Sequence, residues 1–279
     1  MEADTLKLTF RGVKYRITRF NHGLKTEHAP IVYLHGFAGS ADGFAHIAPH
    51  LNREVFAIDL LGHSGTDSPE NPNRYILDEQ LKDLRSIFES LALKHFVLLG
   101  YSMGGRLAMR YALQNRNQIS ALILESSSTG IKDPAERKDR IKRDNQLASR
   151  ILHNKNEFFA AWNRLPLFSS PDDAPKEPKN RLNKIQLEQN PVGLANNLIG
   201  FGAGTLMPVS AKELDVPVMV ITGGLDHKYT EMWKTECLSI KSAKHIVIEG
   251  AGHRVHLDRP VAYIQHINNS LESDLTTLL

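Results

Sequence analysis

The segment HFVLLGYSMGGRLAMRYAL, residues 95–113, places Ser102 between Gly100 and Gly104, where an apolar run ends and a helical pattern begins. A turn this tight strains the serine backbone, and side chains at either glycine would collide with the neighbouring strand and helix. The strain leaves the hydroxyl exposed, close to helix-terminal amides that favour negative charge. The pattern predicts a reactive serine; the alternative is a serine N-cap at an ordinary strand-helix junction.

Outward from this turn, strand and helix patterns alternate. LKLTFRGVKYRITRF alternates apolar and polar residues around Arg11-Gly12, which predicts an opening antiparallel hairpin. The runs APIVYLHG, EVFAIDL, HFVLLG and SALILES are separated by segments of helical period, as expected of a buried parallel sheet. VPVMVITGG and AKHIVIEG continue the strands, and RPVAYIQHINNSLESDL predicts a closing helix with Pro260 in its first turn. The fold class is therefore α/β, a mostly parallel twisted sheet with flanking helices.

The strand rhythm stops between about Ile131 and Thr205. A charged helical stretch, a proline-rich segment and a polar helical pattern replace it, which predicts an inserted helical cap. We divide the chain into residues 1–130, the first part of the core, residues 131–205, the cap, and residues 206–279, the second part of the core.

Composition excludes several classes of function. The formal net charge is only +3, from 34 basic and 31 acidic residues, so no global field indicates a nucleic-acid partner. The single cysteine, Cys237, forms no internal disulfide, and MEADTLKL lacks the features of a signal peptide. No apolar run is long enough to insert in a membrane, and the histidines lack the paired spacing of a metal site. We expect a cytoplasmic protein without a cofactor.

A serine hydroxyl needs a base to remove its proton. His253, in IEGAGHRVH, follows a predicted strand, and Asp226, in ITGGLDH, follows the strand before it. This gives the chain order Ser, Asp, His that accompanies the G-x-S-x-G turn of α/β-hydrolases, which GYSMG resembles. His256 and His227 are competing bases, and Glu125 is the alternative acid.

The loop YLHGFAGS follows the first inner strand. His35-Gly36-Phe37 resembles the α/β-hydrolase loop that supplies one donor of an oxyanion hole. We predict that the backbone amides of Phe37 and Met103 form that hole. The alternative is that this stretch is only a turn after a strand.

The predicted cap is locally basic. Residues 131–190 contain thirteen Lys or Arg and nine Asp or Glu. Arg137, Arg140, Asp144 and Leu147 share one helical face, a pattern that by spacing alone favours a solvated helix over an anion site. Arg106 favours an anion site because it lies one helical turn after Ser102, and a guanidinium can hold a carboxylate through two hydrogen bonds.

Seven segments together resemble one family over about Pro30 to Pro260. They are GYSMGGRLA, LILESSSTGI, R..R...DNQLA, FFAAWNRLPLF, QNPVGLA, GAGTLMP and GAGHRVHLDRP. The family is the SHCHC (2-succinyl-6-hydroxy-2,4-cyclohexadiene-1-carboxylate) synthases of the menaquinone pathway, lyases with the α/β-hydrolase fold. The resemblance implies elimination of pyruvate from a small tricarboxylate, 2-succinyl-5-enolpyruvyl-6-hydroxy-3-cyclohexene-1-carboxylate. It implies that Ser102 acts through His253 and Asp226 as a base, and that an oxyanion is stabilised by Phe37 and Met103.

The resemblance also implies substrate contacts. Tyr101, Arg106, Arg140 and Trp162 match residues that bind substrate in the family, and we add His35 from the loop above. One position departs, since Gln186 stands where the family commonly has an arginine before L.QNP. Arg181 or Lys184 are the candidates to replace that contact.

Two other functions fit parts of the pattern. A hydrolase of esters or carbon-carbon bonds in acidic substrates would use Ser102 as a nucleophile. A catalytically silent relative would bind a small anion, although such a protein has no need for an activated hydroxyl.

Overall fold

A computed structural model describes residues 3–24 and 26–272 of the 279-residue chain. Its centre is one eight-stranded sheet with strand order β1-β2-β4-β3-β5-β6-β7-β8. The strands are β1 Asp4–Phe10, β2 Val13–Phe20, β3 Ile31–Leu34, β4 Val55–Ile58, β5 Phe96–Tyr101, β6 Ile119–Glu125, β7 Val218–Gly223 and β8 Ala243–Ile248. β2 pairs antiparallel with β1 and β4, whereas the other pairs are parallel. This confirms the predicted fold class.

The opening hairpin forms where the alternation predicted it. Phe10 pairs with Val13, and the two turn residues, Arg11 and Gly12, have φ values of 50° and 79°. Positive φ at both central positions matches the right-handed twist of the flanking strands. The hairpin therefore forms one edge of the sheet, and β1 pairs with β2 without a break in register.

Helices cover both faces of the sheet. They are α1 Leu77–Ser90, α2 Met103–Gln114, α3 Pro134–His153, α4 Lys155–Trp162, α5 Lys176–Glu188, α6 Pro191–Phe201, α7 His227–Glu236, α8 Val255–Asp258 and α9 Pro260–Glu272. Alternate residues of the central strands enter two apolar layers: Leu98 packs with Leu84 and Leu107, and Leu99 packs in the layer that holds Tyr263. The inner strands are apolar throughout because both faces are buried. The last residues of the predicted closing helix, 273–275, lie outside the described residues.

The chain between β6 and β7 contains α3, α4, α5 and α6 within residues 131–205, which we call the cap segment. A small apolar cluster holds it against the core: Ile151 and Phe158 pack with Leu194 and with Ala38 of the loop after β3. Within the described residues, no helix combines the length and the apolarity needed to cross a bilayer.

Ser102 lies in a strained turn between β5 and α2, with φ of 49°. The glycines around it are there for steric reasons. A Cβ at Gly104 would lie 2.1 Å from the Leu34 carbonyl oxygen, and one at Gly100 would lie 2.5 Å from Gly105 Cα. Backbone atoms cannot yield as a flexible side chain can, so the turn forms only with glycine at these positions.

We predict that Gly104→Ala destabilises the fold by at least about 3 kcal/mol, because its methyl group overlaps backbone on β3. The control is Gly43→Ala, whose new Cβ would meet only Ile185 Cδ1, at 4.0 Å. Urea unfolding of both variants measures the difference. Equal free energies of unfolding would show that the turn tolerates a side chain.

Candidate active site

The residues predicted as a triad meet at the carboxyl edge of the sheet. Ser102 follows β5, Asp226 lies between β7 and α7, and His253 follows β8. His253 Nδ1 is 2.7 Å from Asp226 Oδ2, and His253 Nε2 is 3.2 Å from Ser102 Oγ. The carboxylate makes Nδ1 the protonated nitrogen, so Nε2 is free to accept the serine proton. The arrangement has the geometry of a hydroxyl activated by a histidine and a buried carboxylate.

The competing residues form other contacts. Glu125 Oε1 accepts a hydrogen bond from His256 Nδ1 at 2.7 Å, and both side chains are buried. His227 is exposed at the first position of α7. Neither the alternative acid nor the alternative bases therefore belong to the hydrogen-bonded chain that includes Ser102.

Two backbone amides have the environment expected of oxyanion donors. The amide of Ser102 is occupied by the Glu125 carbonyl oxygen at 2.8 Å, but Met103 begins α2 and has no helical partner. Across residues 3–24 and 26–272, no acceptor is hydrogen-bonded to the amide of Phe37 or Met103. Both residues line the same cavity as Ser102. Their role in binding an oxyanion stays a prediction.

His35, predicted to contact the substrate, lines the cavity, and its contact with substrate stays a prediction. Its Nδ1 donates to the Gly36 carbonyl oxygen at 2.7 Å, and its Nε2 accepts from the Leu60 amide at 3.0 Å. Both ring nitrogens are thus occupied by backbone, and burial lowers the pKa of His35 to about 4. His35 is a neutral side chain that fixes the loop after β3.

This buried histidine makes stability depend on pH. Because its pKa falls from 6.5 to about 4 on folding, the unfolded chain binds the extra proton between these values. The stability is complete above pH 6.5 and is lost as the pH falls toward 4. When the pH is lowered from 7.5 to 5, the free energy of unfolding of the wild type should fall by on the order of 2 kcal/mol more than that of His35→Gln. Urea unfolding at the two pH values measures this, and equal losses would contradict a neutral His35.

A cavity of about 550 Å³ lies between the carboxyl edge of the sheet and the cap segment. Ser102 and His253 face it from the core, and Arg140, Trp162 and Gln186 face it from the cap segment. Its size suits a small organic ligand, and its mixture of aromatic and cationic side chains suits an apolar ring that carries negative groups.

Arg106 is a buried cation without a counter-ion. Its side chain lines the cavity, it is 8% exposed, and its Nε has no hydrogen-bond partner. Within the described part of the chain, no carboxylate lies within 4.0 Å of its guanidinium. Burial and the nearby Arg140 lower the pKa of Arg106 to about 10. A buried charge left unpaired is costly, so this position is suited to an anionic ligand.

The other predicted contacts also line the cavity. Arg140 is paired with Asp144, Nε to Oδ1 at 2.8 Å, and keeps partial exposure. The Trp162 ring stacks on Phe158 and meets Phe37 edge-on. Tyr101 lies beside His253, with 5.7 Å between ring centroids, and burial raises its pKa.

The cap-segment candidates for the missing arginine contact are wrong. Arg181 is paired with Glu177 on the surface, and Lys184 is exposed and does not line the cavity. Gln186 itself is buried in the cavity wall, where its Oε1 accepts from Asn163 Nδ2 at 2.6 Å. Arg137 shares the helical face of Arg140 but contacts the Met207 sulfur.

Sequence reasoning missed two features of the site. Arg254, immediately after His253, is buried in the cavity wall, and Tyr229 of α7 packs beside His253 at 4.8 Å between ring centroids. A signal for Arg254 was available, because it is the charged residue next to the histidine of GAGH. Tyr229 gave none, since helical position alone does not show which residues face a distant loop.

The chain is similar to several known proteins. The sequence profile of the α/β-hydrolase fold matches residues 29–260. A Bacillus subtilis protein named as a 2-succinyl-6-hydroxy-2,4-cyclohexadiene-1-carboxylate synthase is 37% identical over 266 residues, covering 94% of this chain and 96% of its own. The synthase of Klebsiella pneumoniae subsp. pneumoniae is 28% identical, covering 87% and 94%.

Solved structures give the same result. MenH from S. aureus superposes with a TM-score of 0.85 at 29% identity, covering 93% of this chain and 98% of its own. An Exiguobacterium antarcticum esterase, 17% identical with a TM-score of 0.78 and coverage of 94% and 96%, shares the fold. The fold and the serine turn define an α/β-hydrolase-fold enzyme. Within that class, the chain belongs to the 2-succinyl-6-hydroxy-2,4-cyclohexadiene-1-carboxylate synthase family, which confirms the resemblance.

Proposed function

We propose that this enzyme is a carbon-oxygen lyase of menaquinone biosynthesis. It eliminates pyruvate from 2-succinyl-5-enolpyruvyl-6-hydroxy-3-cyclohexene-1-carboxylate and forms 2-succinyl-6-hydroxy-2,4-cyclohexadiene-1-carboxylate. The observation that carries the proposal is the unpaired Arg106 guanidinium one helical turn from Ser102. A hydrolase of neutral esters has no use for this buried charge, whereas a tricarboxylate substrate supplies its partner.

The substrate and product determine which bonds change. The ring double bond between C3 and C4 is replaced by double bonds at C2 and C4, so a proton leaves C2 and the enolpyruvyl oxygen leaves C5. The C2 proton is acidified by the succinyl ketone, because its removal delocalises charge onto the ketone oxygen. Cleavage of the C5–O bond then releases the enolate of pyruvate. This enolate becomes pyruvate by taking up one proton, which balances the proton held by the His253 imidazolium.

The triad supplies the base for this step. Ser102 Oγ, 3.2 Å from His253 Nε2, transfers its proton to the imidazole and takes the C2 proton in its place. Asp226, 2.7 Å from His253 Nδ1, stabilises the imidazolium that forms. No water is activated and no acyl-enzyme forms, because Ser102 takes a proton and does not attack a carbonyl carbon.

The remaining groups stabilise charge. The free amides of Phe37 and Met103 donate to the ketone oxygen as it becomes an oxyanion, an effect worth about 3 kcal/mol per donor. Arg106 and Arg140 bind carboxylates of the substrate, while Trp162 and Tyr101 pack against its apolar ring. The substrate carboxylates therefore lie beside the arginines of the cavity, and the C2 carbon lies above Ser102.

The direct test is incubation of the purified protein with the enolpyruvyl tricarboxylate and measurement of pyruvate. Release that depends on Ser102 supports the proposal, and absence of release refutes it. The second candidate, a serine hydrolase of acidic esters, is favoured by the same 3.2 Å contact between Ser102 and His253. It predicts a covalent serine adduct and a burst of product instead.

A further inference from the structure

Arg254 is a second buried guanidinium in the cavity. It comes from the loop after β8, directly beyond His253, and is 4% exposed. Arg106 comes from α2, so two separate elements bring buried cations to one cavity that also contains Ser102.

The protein contacts of Arg254 are neutral. One guanidinium face lies over the Phe168 ring, with Cζ 4.2 Å from the ring centroid, and its NH2 nitrogen donates to Asn163 Oδ1 at 3.0 Å. The Tyr101 hydroxyl is a further neighbour. Because the face is covered, the in-plane N–H donors are the groups available to a ligand.

No carboxylate on the described residues lies within 4.0 Å of the Arg254 guanidinium. The negative charge of Asp258 acts on Arg254 without a hydrogen bond between them, and Asp258 Oδ2 accepts from the Gly252 amide at 2.8 Å. Burial accordingly lowers the pKa of Arg254. A fully buried guanidinium with only neutral partners is incomplete until an anion joins it.

Asn163 connects Arg254 to Gln186. Its Nδ2 donates to Gln186 Oε1 at 2.6 Å, while its Oδ1 accepts from Arg254. The Asn163 amide is therefore held in one orientation and fixes the guanidinium edge toward the cavity. The cationic group of this wall thus comes from the loop after β8, whereas the cap segment contributes the neutral Gln186.

We propose that Arg254 binds one carboxylate of the substrate and sets the specificity of this enzyme for a ligand with a negative group beside the Asn163 amide. The inference rests on the proposed function for the identity of the ligand. Arg254 supplies a substrate contact from outside the cap segment. The cap-segment residues Arg181 and Lys184 do not reach the cavity. Arg254 forms two parallel hydrogen bonds with that carboxylate, while Arg106 of α2 binds another carboxylate of the substrate.

The test is a binding measurement in which no chemistry occurs. In a Ser102→Ala background, calorimetry gives the Kd of the enolpyruvyl tricarboxylate and of its three monocarboxamides, each lacking one carboxylate. We expect Arg254→Gln to weaken binding of the tricarboxylate by at least about 30-fold. One of the three carboxamides should bind both proteins within about twofold, because the partner of Arg254 is already absent from it.

Two further variants keep the test decisive. Arg181→Gln, at a surface arginine, should change none of the four Kd values. Arg254→Lys retains the charge but loses the planar guanidinium donors. It should weaken binding of the tricarboxylate by about tenfold and leave binding of the same carboxamide unchanged. That result also answers the question if the glutamine variant does not fold.

The proposal is overturned if Arg254→Gln or Arg254→Lys weakens the binding of all four ligands equally. It is also overturned if the Kd of the tricarboxylate for these variants lies within about threefold of its Kd for Ser102→Ala alone. Pyruvate release by wild type is measured separately. Its absence refutes the lyase function, whereas the four Kd values decide the role of Arg254 independently.

Discussion

Ser102→Ala should lower the rate of pyruvate release by about 10³-fold or more, measured under single-turnover conditions with the enolpyruvyl tricarboxylate. The substitution removes the oxygen that takes the C2 proton and leaves His253 3.2 Å from an empty position. Binding groups and oxyanion donors remain, so we expect residual turnover and an almost unchanged Kd.

The matched control is Ser149→Ala, which removes a hydroxyl from the exposed face of α3. It should leave both the rate and the thermal unfolding midpoint unchanged. Pyruvate release by Ser102→Ala at the wild-type rate would remove Ser102 from the chemistry. Because the Ser102 side chain caps no helix, a large loss of stability in this variant would also contradict the account.

Arg106→Met should have opposite effects on activity and stability. It removes the charge that pairs with a substrate carboxylate, so kcat/KM should fall by roughly 10²-fold, about 3 kcal/mol. It also replaces a buried unpaired cation by an apolar side chain of similar length, so the free energy of unfolding should rise by about 1 kcal/mol.

Arg116→Met is the control for this substitution. Arg116 is paired with Asp215, and both side chains are largely exposed, so neither activity nor stability should change beyond about 0.5 kcal/mol. Steady-state kinetics and urea unfolding measure the two quantities. A fall in stability for Arg106→Met would mean that the guanidinium is satisfied within the protein.

The core of the fold could be predicted because its signals are local. Gly100 and Gly104 indicate a turn that only glycine permits, and the apolar runs indicate strands covered on both faces. Asp226 and His253 were then identified by their positions after predicted strands and by the Ser, Asp, His order of α/β-hydrolases. The carboxyl ends of parallel strands share one edge, so these residues were expected to meet. These inferences needed no knowledge of side-chain packing.

The cavity wall could not be predicted in the same way. Spacing placed Arg137 and Arg140 on one face of α3 but did not show that only Arg140 faces the cavity. No local pattern indicated that both ring nitrogens of His35 are hydrogen-bonded to backbone atoms. The role of Arg254 depends on Asn163, which is distant in sequence, and no periodic pattern connects them.

The most direct test of the central claim is the isotope effect of a C2-deuterated substrate on pyruvate release in a single turnover. If Ser102 removes the C2 proton in the step that controls elimination, wild type shows a primary effect well above unity and forms no covalent serine adduct. An isotope effect of unity together with an acylated Ser102 would contradict the account and establish nucleophilic catalysis in its place.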